Sequence, residues 1–237
     1  MHSTSTSAPG RLEAGRRVYA VGDVHGCAER LAALHRAIAD DLAARPVAAP
    51  VLLHLGDYVD RGPDSAGVVA LLAGGPPGVE RIDLMGNHEQ MMLRALERGE
   101  SRAVEHWLIN RGEATLASWN VPQEARPREW IRYIPPDALA RLRGLRLAHR
   151  IDGYLFVHAG VRPGVPLAAQ SEQDMLWIRE PFLSSGEDFG AVVVHGHTPE
   201  AAPVVRHNRI GIDTGAVMGG RLTCAVLEAD RIGFLSA

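Results

Sequence analysis

The sequence lacks the features by which several classes of protein are identified. Cysteine is scarce among the 237 residues: Cys27 and Cys224 lie far apart, which argues against a disulfide scaffold and favours a reducing, cytoplasmic compartment. No apolar run approaches the length of a membrane span, so we expect no membrane partner. The net charge of −3 provides no basic field for nucleic acid, and none is expected as a partner. Aromatic residues make up only 5% of the chain and leave few surfaces on which a base could stack.

Apolar residues and histidines, by contrast, are plentiful. With 46% hydrophobic and 22% charged residues, the chain has the composition of a globular protein with an ample core. Eleven histidines is a high number for this length, and metal ligation is one reason to accumulate them. The Ser/Thr-rich start has no apolar segment of the kind found in a secretory signal. We therefore predict a disordered tail over residues 1–15 and a single domain over residues 16–237.

The first part of the chain repeats one pattern three times: an apolar strand, a glycine, and then polar side chains. Helices with a regular apolar face follow the first two repeats, and this alternation predicts a mainly parallel sheet. Chemistry in such sheets lies at the carboxyl ends of the strands. The three polar segments are Gly22-Asp23-Val24-His25-Gly26, Gly56-Asp57-Tyr58-Val59-Asp60-Arg61-Gly62 and Gly86-Asn87-His88-Glu89. We expect an extended backbone to direct Asp23 and His25 to the same side.

The later part of the chain has a different character. After Gln90 the pattern predicts a long helical stretch, a loop or small cap over residues 121–136, and a short helix over Asp137–Arg143. Asp152-Gly153 then predicts a hairpin. Its second strand ends at His158, and a further apolar strand ends at His195-Gly196-His197. Short strands follow to about Leu227, and the expected architecture is two packed sheets flanked by helices.

Each polar residue at a strand end also has a simple structural interpretation. A lone histidine there is commonly structural, Asn87 could cap the next helix, and Asp60 with Arg61 could form a surface ion pair. We apply the structural interpretation to His54, His195 and His207. Taken together, however, the remaining carboxylates, amide and imidazoles form two ligand sets that share one carboxylate. Two metal ions about 3.5–4 Å apart can activate a water and hold a phosphoryl group during in-line displacement.

These motifs, together with His158-Ala159-Gly160 and Gly196-His197-Thr198, resemble those of the metallophosphoesterase superfamily. More narrowly, the chain is similar to the PPP-type serine/threonine protein phosphatases in their small prokaryotic and phage form. The resemblance extends from Val18 to about Leu227. It implies an α/β fold with a central two-sheet β-sandwich flanked by helices, and a site on the loops at the strand ends.

The resemblance also implies a role for each site residue. Asp57 would bridge two divalent ions, and Mn²⁺ is expected, with Fe or Zn as alternatives that suit the same oxygen and nitrogen ligands. His88 would be the general acid for the departing alkoxide, with Asp60 as its orienting carboxylate. Arg61 and Arg179 would bind the phosphoryl oxygens. The implied ligands are Asp23, His25 and Asp57 for the first metal, and Asp57, Asn87, His158 and His197 for the second.

Three functional hypotheses follow. The favoured one is an enzyme that hydrolyses phosphoserine or phosphothreonine in a phosphoprotein or phosphopeptide. The second is a diadenosine tetraphosphate hydrolase; these enzymes share the metal ligands but tend to lack an equivalent of Asp60 and to carry Asp in place of Glu89. The third, a non-catalytic binding protein on the same fold, is disfavoured by the complete set of ligands and catalytic groups.

Overall fold

The protein is described by a computed structural model over residues 5–237, with the side chain of Arg98 left out of the description. Over these residues the chain forms eleven strands and seven α-helices. The strands are β1 (Thr6–Ser7), β2 (Arg16–Val21), β3 (Ala49–His54), β4 (Glu80–Asp83), β5 (Ala148–Ile151), β6 (Tyr154–Val157), β7 (Val192–His195), β8 (Val204–Val205), β9 (Arg209–Gly211), β10 (Thr223–Glu228) and β11 (Arg231–Ser236). The helices are α1 (Ala28–Ala44), α2 (Ser65–Leu71), α3 (Asn87–Arg98), α4 (Ser101–Ile109), α5 (Gly112–Ser118), α6 (Pro136–Arg143) and α7 (Glu172–Trp177).

The first sheet has the strand order β1-β11-β10-β2-β3-β4. Strands β2, β3 and β4 are parallel neighbours, as the strand and helix alternation predicts, with Val18 opposite Val51 and Val51 opposite Glu80. Strands β10 and β11 extend the sheet in antiparallel fashion. The carboxyl ends of the three parallel strands therefore lie side by side, where the first three polar segments begin.

The second sheet has the order β5-β6-β7-β9-β8. The predicted hairpin is present, because Ile151 pairs with Tyr154 across the Asp152-Gly153 turn. Strands β6, β7 and β9 are parallel, so the loops after β6 and β7 leave the sheet at one edge. A single bridge between Leu84 and Arg146 links the edges of the two sheets in addition to the packing between their faces.

The core follows the alternation of side chains along the strands. Val18 and Ala20 of β2 pack between the two sheets, against Phe156 and Val194 of the second sheet. The intervening Tyr19 belongs to the outer cluster that includes Leu31 and Leu34 of α1. Residues two apart share a face of a strand, so one strand supplies both layers. The predicted α/β class with two packed sheets flanked by helices is confirmed.

Several local expectations differ from the structure. The long helical stretch after Gln90 consists of three helices, because Gly99 and Arg111 adopt left-handed conformations that break it. Residues 5–15, expected within a disordered tail, pack on the fold: β1 pairs with β11, and Leu12 is buried. The first four residues of that predicted tail lie outside the described residues. Strand β11 and helix α7 are also absent from the prediction.

No helix among residues 5–237 combines the length and the apolar character needed to cross a membrane.

Candidate dinuclear metal centre

The site is built on turns that follow the strands rather than on the strands themselves. Strand β2 ends at Val21, and His25 has a left-handed φ of 44°. The expectation that an extended backbone aligns Asp23 with His25 is therefore wrong, and a turn brings His25 to the site. Left-handed φ values also occur at Asp57, Asp60, Arg61 and His197. Non-glycine residues rarely adopt this conformation, and such strain concentrates at functional sites.

Asp57 occupies the centre of the ligand set. Its Oδ2 lies 3.3 Å from His25 Nε2, and its Oδ1 lies 3.4 Å from His158 Nε2. Each imidazole is oriented by a backbone carbonyl, since the His25 Nδ1 contacts Val59 O at 2.9 Å and the His158 Nδ1 contacts Leu55 O at 3.0 Å. The Nε2 lone pairs of the two rings therefore face different oxygens of one buried carboxylate, which is the arrangement that a bridging ligand requires.

The second half of the site gathers around the amide of Asn87. Its Oδ1 lies 2.9 Å from His158 Nε2 and 3.0 Å from His197 Nδ1. Asn87 is the first residue of α3 and Gly86 is the N-cap, so the capping interpretation of Asn87 does not apply. Among the described residues, Asp57, His158 and His197 form one group whose ligand atoms all lie within 4.8 Å of one another.

Asp23 lies at the edge of this arrangement. Its carboxylate accepts the His197 backbone N–H at 3.0 and 3.2 Å, and Gly196 permits that approach because a Cβ there would lie 2.0 Å from Asp23 Oδ1. The other compact group in the described chain consists of His25, Asp57 and His88 and does not include Asp23. The structure thus places Asp23, predicted as a first-metal ligand, against His197, which is predicted as a second-metal ligand.

The electrostatics of these donors fit divalent cations. Burial lowers the pKa of His158, and burial together with the neighbouring His158 lowers the pKa of His197 to about 3. Both rings are therefore neutral at pH 7. Because Leu55 O holds the Nδ1–H of His158, the Nε2 lone pair of that ring faces the oxygens of Asn87 and Asp57, a repulsive arrangement that a cation between them would relieve. Burial and the neighbouring carboxylates of Asp213 and Asp57 raise the pKa of Asp23 well above its usual value. A positive charge would remove that penalty.

His88 and Asp60 form a buried pair beside the candidate metal ligands. His88 Nδ1 lies 2.7 Å from Asp60 Oδ2, and neither side chain is exposed. His88 Nε2 is buried and has no hydrogen-bond partner among the described residues. Asp60 also accepts hydrogen bonds from Trp107 and Thr115, so it is not part of a surface ion pair with Arg61. The pair presents one free imidazole nitrogen next to the candidate ligand His25, whose ring centroid lies 4.6 Å from that of His88.

Both predicted phosphate-binding arginines line the cleft that opens over the site. Arg61 Nη1 lies 3.1 Å from His25 Nε2, and Arg179 reaches the cleft from the segment after α7. The cleft has a volume of about 530 Å³ and is lined by Asp57, Arg61, Asn87, Asn110, Arg162, Gln173, Asp174, Trp177, Ile178, Arg179, Glu180 and His197.

A larger cleft of about 720 Å³ lies elsewhere, between α1 and the strands β10 and β11. Three of its charged groups pair with one another, since Arg45 contacts both Asp41 and Glu228. Size is therefore a poor guide to the site in this protein, and the ligand geometry identifies the smaller cleft.

Glu89 holds two of the loops together, a structural role that is not among the expectations from the sequence. Its buried carboxylate accepts backbone N–H groups from Asp57, Tyr58, Val59 and Gly86. A glutamate three residues after the cap is the spacing of a capping box, so a local signal for part of this role exists. The contacts to residues 57–59 carry no such signal, because the loop and the helix are far apart in sequence.

The histidines interpreted as structural lie outside both ligand groups of the described chain. His54 is buried between His35 and Asp83, with contacts of 3.0 and 2.8 Å. His195 is buried beside Arg209, and burial lowers its pKa to about 3. His207 is exposed, and its Nε2 contacts a backbone carbonyl.

This fold and this cluster of ligands define a metal-dependent phosphoesterase. The calcineurin-like phosphoesterase family model matches residues 16–231, and the chain belongs to that family. It is 33% identical over 230 residues to serine/threonine-protein phosphatase 1 of Salmonella typhimurium, covering 92% of this chain and 96% of that protein. It is 27% identical over 235 residues to the asymmetrical bis(5'-nucleosyl)-tetraphosphatase PrpE of Halalkalibacterium halodurans, covering 91% of each.

A solved structure supports the same fold. The crystal structure of a candidate diadenosine tetraphosphatase matches with a TM-score of 0.64 and 26% identity over 93% of each chain. The family uses a dinuclear divalent metal site, and the residues that would hold it are present here. The chain is a hydrolase of the phosphatase type, similar both to a protein phosphatase and to dinucleoside tetraphosphatases.

Proposed function

We propose that the protein hydrolyses phosphoserine and phosphothreonine in phosphoproteins or phosphopeptides of the cytoplasm. The proposal assigns residues 16–237 to one catalytic domain, which the family match over residues 16–231 supports. It keeps the ligand assignment of the resemblance, with Asp57 as the bridging carboxylate. It also keeps His88 as general acid and Arg61 and Arg179 as the groups that bind the phosphoryl oxygens.

The observation that carries the proposal is the buried Asp60–His88 pair, with the free His88 Nε2 beside the ligand His25. The alkoxide of a serine or threonine is a poor leaving group and needs a proton as the bond to phosphorus breaks. A nucleotide phosphate leaves readily as an anion and needs this proton far less. A complete acid pair therefore favours an alkyl phosphate monoester as the substrate.

The residues of the chain act in a defined order. Arg61 and Arg179 hold the non-bridging oxygens and neutralise charge that increases in the transition state. The oxygen of water forms the new bond to phosphorus from the side opposite the leaving oxygen, and one of its protons passes to solvent, which afterwards returns a proton to His88. As the bond between phosphorus and the serine oxygen breaks, protonated His88 passes the proton on Nε2 to that oxygen. Asp60 holds Nδ1 throughout, so the ring keeps its orientation while its charge changes.

Asp23, His25, Asp57, Asn87, His158 and His197 would hold the metal pair. When bound, two divalent cations supply Lewis acidity and lower the pKa of water. The mixed oxygen and nitrogen donors suit Mn²⁺, which we propose as the activating ion, with Fe and Zn as the alternatives.

A second candidate substrate is a dinucleoside tetraphosphate, which the similarity to PrpE favours. Such a substrate would need a surface for its bases as well as a site for its phosphates. Trp177 is the aromatic residue that lines the cleft, and it already stacks on His106 with ring centroids 5.8 Å apart and an interplanar angle of 19°. The Nε1–H of Trp177 also donates a hydrogen bond to Gln90 Oε1 at 3.0 Å. A base could use only the remaining face, so the cleft favours a single phosphoryl group.

The test compares kcat/KM for phosphoserine and phosphothreonine peptides with kcat/KM for diadenosine tetraphosphate, on one preparation loaded with Mn²⁺. We expect the peptides to be preferred. Arg179→Ala should weaken peptide turnover and inhibition by inorganic phosphate together. Arg150→Ala, which removes an exposed arginine of β5 away from the cleft, is the matched control. A tenfold preference for the dinucleotide would replace the protein-phosphatase proposal with the nucleotide one.

A further inference from the structure

The hairpin of α4 and α5 covers the loop that carries Asp60. Its two helices are joined at Asn110 and Arg111, and Arg111 has a left-handed φ of 72°. The backbone carbonyl of Arg111 accepts the Arg61 N–H at 3.3 Å. The hairpin thus contacts the two consecutive residues that are assigned to the acid pair and to phosphate binding.

Two side chains of this hairpin bind Asp60 directly. Trp107 Nε1–H donates to both carboxylate oxygens at 3.0 Å. Thr115 Oγ1 donates to Asp60 Oδ1 at 2.6 Å and accepts the Asp60 backbone N–H at 2.8 Å. Together with His88, these groups surround a carboxylate that is not exposed at all. Thr115 engages Oδ1 and Trp107 contacts both oxygens, which leaves Oδ2 to face His88.

The indole is itself held in place by the start of α5. A Cβ at Gly112 would lie 2.6 Å from Trp107 Cδ2 and Cε2, so the ring packs directly on the backbone there. On another side, Trp107 meets Trp130 edge to face, with centroids 6.0 Å apart. Trp107 is fully buried, and its N–H points at the Asp60 carboxylate and away from solvent. The direction of this donor is set by packing rather than by solvent.

We propose that Trp107 and Thr115 are positioning residues that orient Asp60 and, through it, the general acid His88. The inference rests on the proposed role of His88, and it applies to any substrate whose leaving group needs a proton. Neither side chain lines the cleft over the site, and both are buried. Their loss should therefore reduce proton delivery and leave metal binding and ground-state binding of the substrate in place.

The hydroxyl of Thr115 offers the cleaner test. Thr115→Val keeps the shape of the side chain and removes the hydroxyl, whereas Thr115→Ser keeps the hydroxyl and removes a methyl group. With a phosphoserine peptide, Thr115→Val should lower kcat by about 10-fold or more, a part of the 10²–10⁴-fold range of general acid catalysis. KM should change less than about twofold, and Thr115→Ser should restore most of the lost rate. With an aryl phosphate the loss in Thr115→Val should be much smaller.

The indole is tested with a matched pair of tryptophans. Trp107→Phe removes the donor to Asp60, whereas Trp130→Phe changes a neighbouring buried tryptophan whose N–H donates to Ala125 O. Both variants should lose stability, but only Trp107→Phe should show a larger loss of kcat for the alkyl than for the aryl phosphate. If Trp107→Phe does not fold, the two Thr115 variants decide the matter.

The double variant His88→Asn/Trp107→Phe gives the deciding result. If Trp107 acts through His88, the double variant should be no slower than His88→Asn alone. A rate reduced by the product of the two single losses would overturn the proposal. Equal losses for alkyl and aryl substrates in Thr115→Val would overturn it too, as would a normal rate in that variant. A His88→Asn variant that retains full activity would refute the acid role and this inference together. A preference for the dinucleotide would refute the protein substrate alone.

Discussion

Replacing Glu89 with glutamine tests how strongly the hydrogen bonds of its carboxylate hold the loop at Asp57 to helix α3. The two oxygens of the buried carboxylate divide four backbone N–H groups between them. Oε2 accepts from Asp57 and Gly86, both at 2.9 Å, and Oε1 accepts from Tyr58 at 2.7 Å and Val59 at 3.1 Å. All four donors belong to segments that contain candidate metal ligands, Asp57 in one and Asn87 in the other. Glu89→Gln keeps the size of the side chain but converts one acceptor into a donor.

The expected loss follows from counting donors. The single amide oxygen can accept two of the four N–H groups, and the amide NH₂ opposes the other two. A buried N–H left without an acceptor costs about 1–3 kcal/mol, so two of them should lower the free energy of unfolding by about 2–6 kcal/mol. For a chain of this size, 1 kcal/mol corresponds to about 2–4 °C in Tm, which predicts a decrease of roughly 4–24 °C.

Burial and the nearby Asp57 raise the pKa of Glu89 to about 8, so the measurement is chemical and thermal denaturation at pH 9, where the carboxylate is ionised. The protein is treated with chelator so that metal binding does not mask the effect. Glu97→Gln provides the control in the same helix. Glu97 pairs with Arg143 at 2.8 Å, and both side chains are nearly half exposed, so that substitution should cost less than about 1 kcal/mol. If Glu89→Gln is no more damaging than Glu97→Gln, the four hydrogen bonds do not hold the loop to the helix.

Three further predictions concern the metals, the acid and pH. A strong chelator should abolish activity, and Mn²⁺ should restore it; full activity in protein shown to be metal-free by elemental analysis would refute the two-metal assignment. Among substitutions of the predicted ligands, Asp57→Asn should be the most damaging, because the two oxygens of Asp57 face two imidazoles. His88→Asn should lower kcat by about 10²–10⁴-fold with unchanged metal content and a smaller loss for aryl phosphates, whereas equal losses would indicate a structural role. Burial and the nearby His54 lower the pKa of His35 from 6.5 to about 4. Between pH 6.5 and pH 4 the imidazole of His35 is therefore protonated in the unfolded chain but neutral in the folded one, so the free energy of unfolding decreases as the pH falls. Denaturation of metal-free protein from pH 7 to 4 should therefore show a shallower slope for His35→Gln, and an equal slope would contradict the assignment.

The sequence was most informative where function depends on a few consecutive residues. Each strand-end segment contains its own glycine and polar side chains, so its turn and its chemistry are encoded locally. Asp57 and His158 illustrate the point, because their positions directly after apolar strands predict that they meet at one edge of the fold. The backbone conformation was harder to predict, since the left-handed turn at His25 replaces the expected extended segment.

Contacts between distant segments could not be predicted in this way. Trp107 and Thr115 are 47 and 55 residues from Asp60, and their own surroundings in sequence are those of ordinary amphipathic helices. The break between α4 and α5 depends on Arg111 adopting a conformation that its residue type disfavours. Likewise β1 is only two residues long, and it forms because β11 offers a free edge. In each case tertiary packing determines the structure.

The ligand set has a consequence for local unfolding. His158 and His197 follow strands of the second sheet, whereas Asp57 follows a strand of the first, and the edges of the sheets share one bridge between Leu84 and Arg146. Opening either sheet alone would separate the ligands and release a bound ion. A metal ion at 100 times its dissociation constant should therefore raise the free energy of that opening by about 2.7 kcal/mol. Amide hydrogens of β6 and β7 should then exchange about a hundredfold more slowly than in the metal-free protein. The same ions would also protect the fold against proteolysis when no substrate is bound.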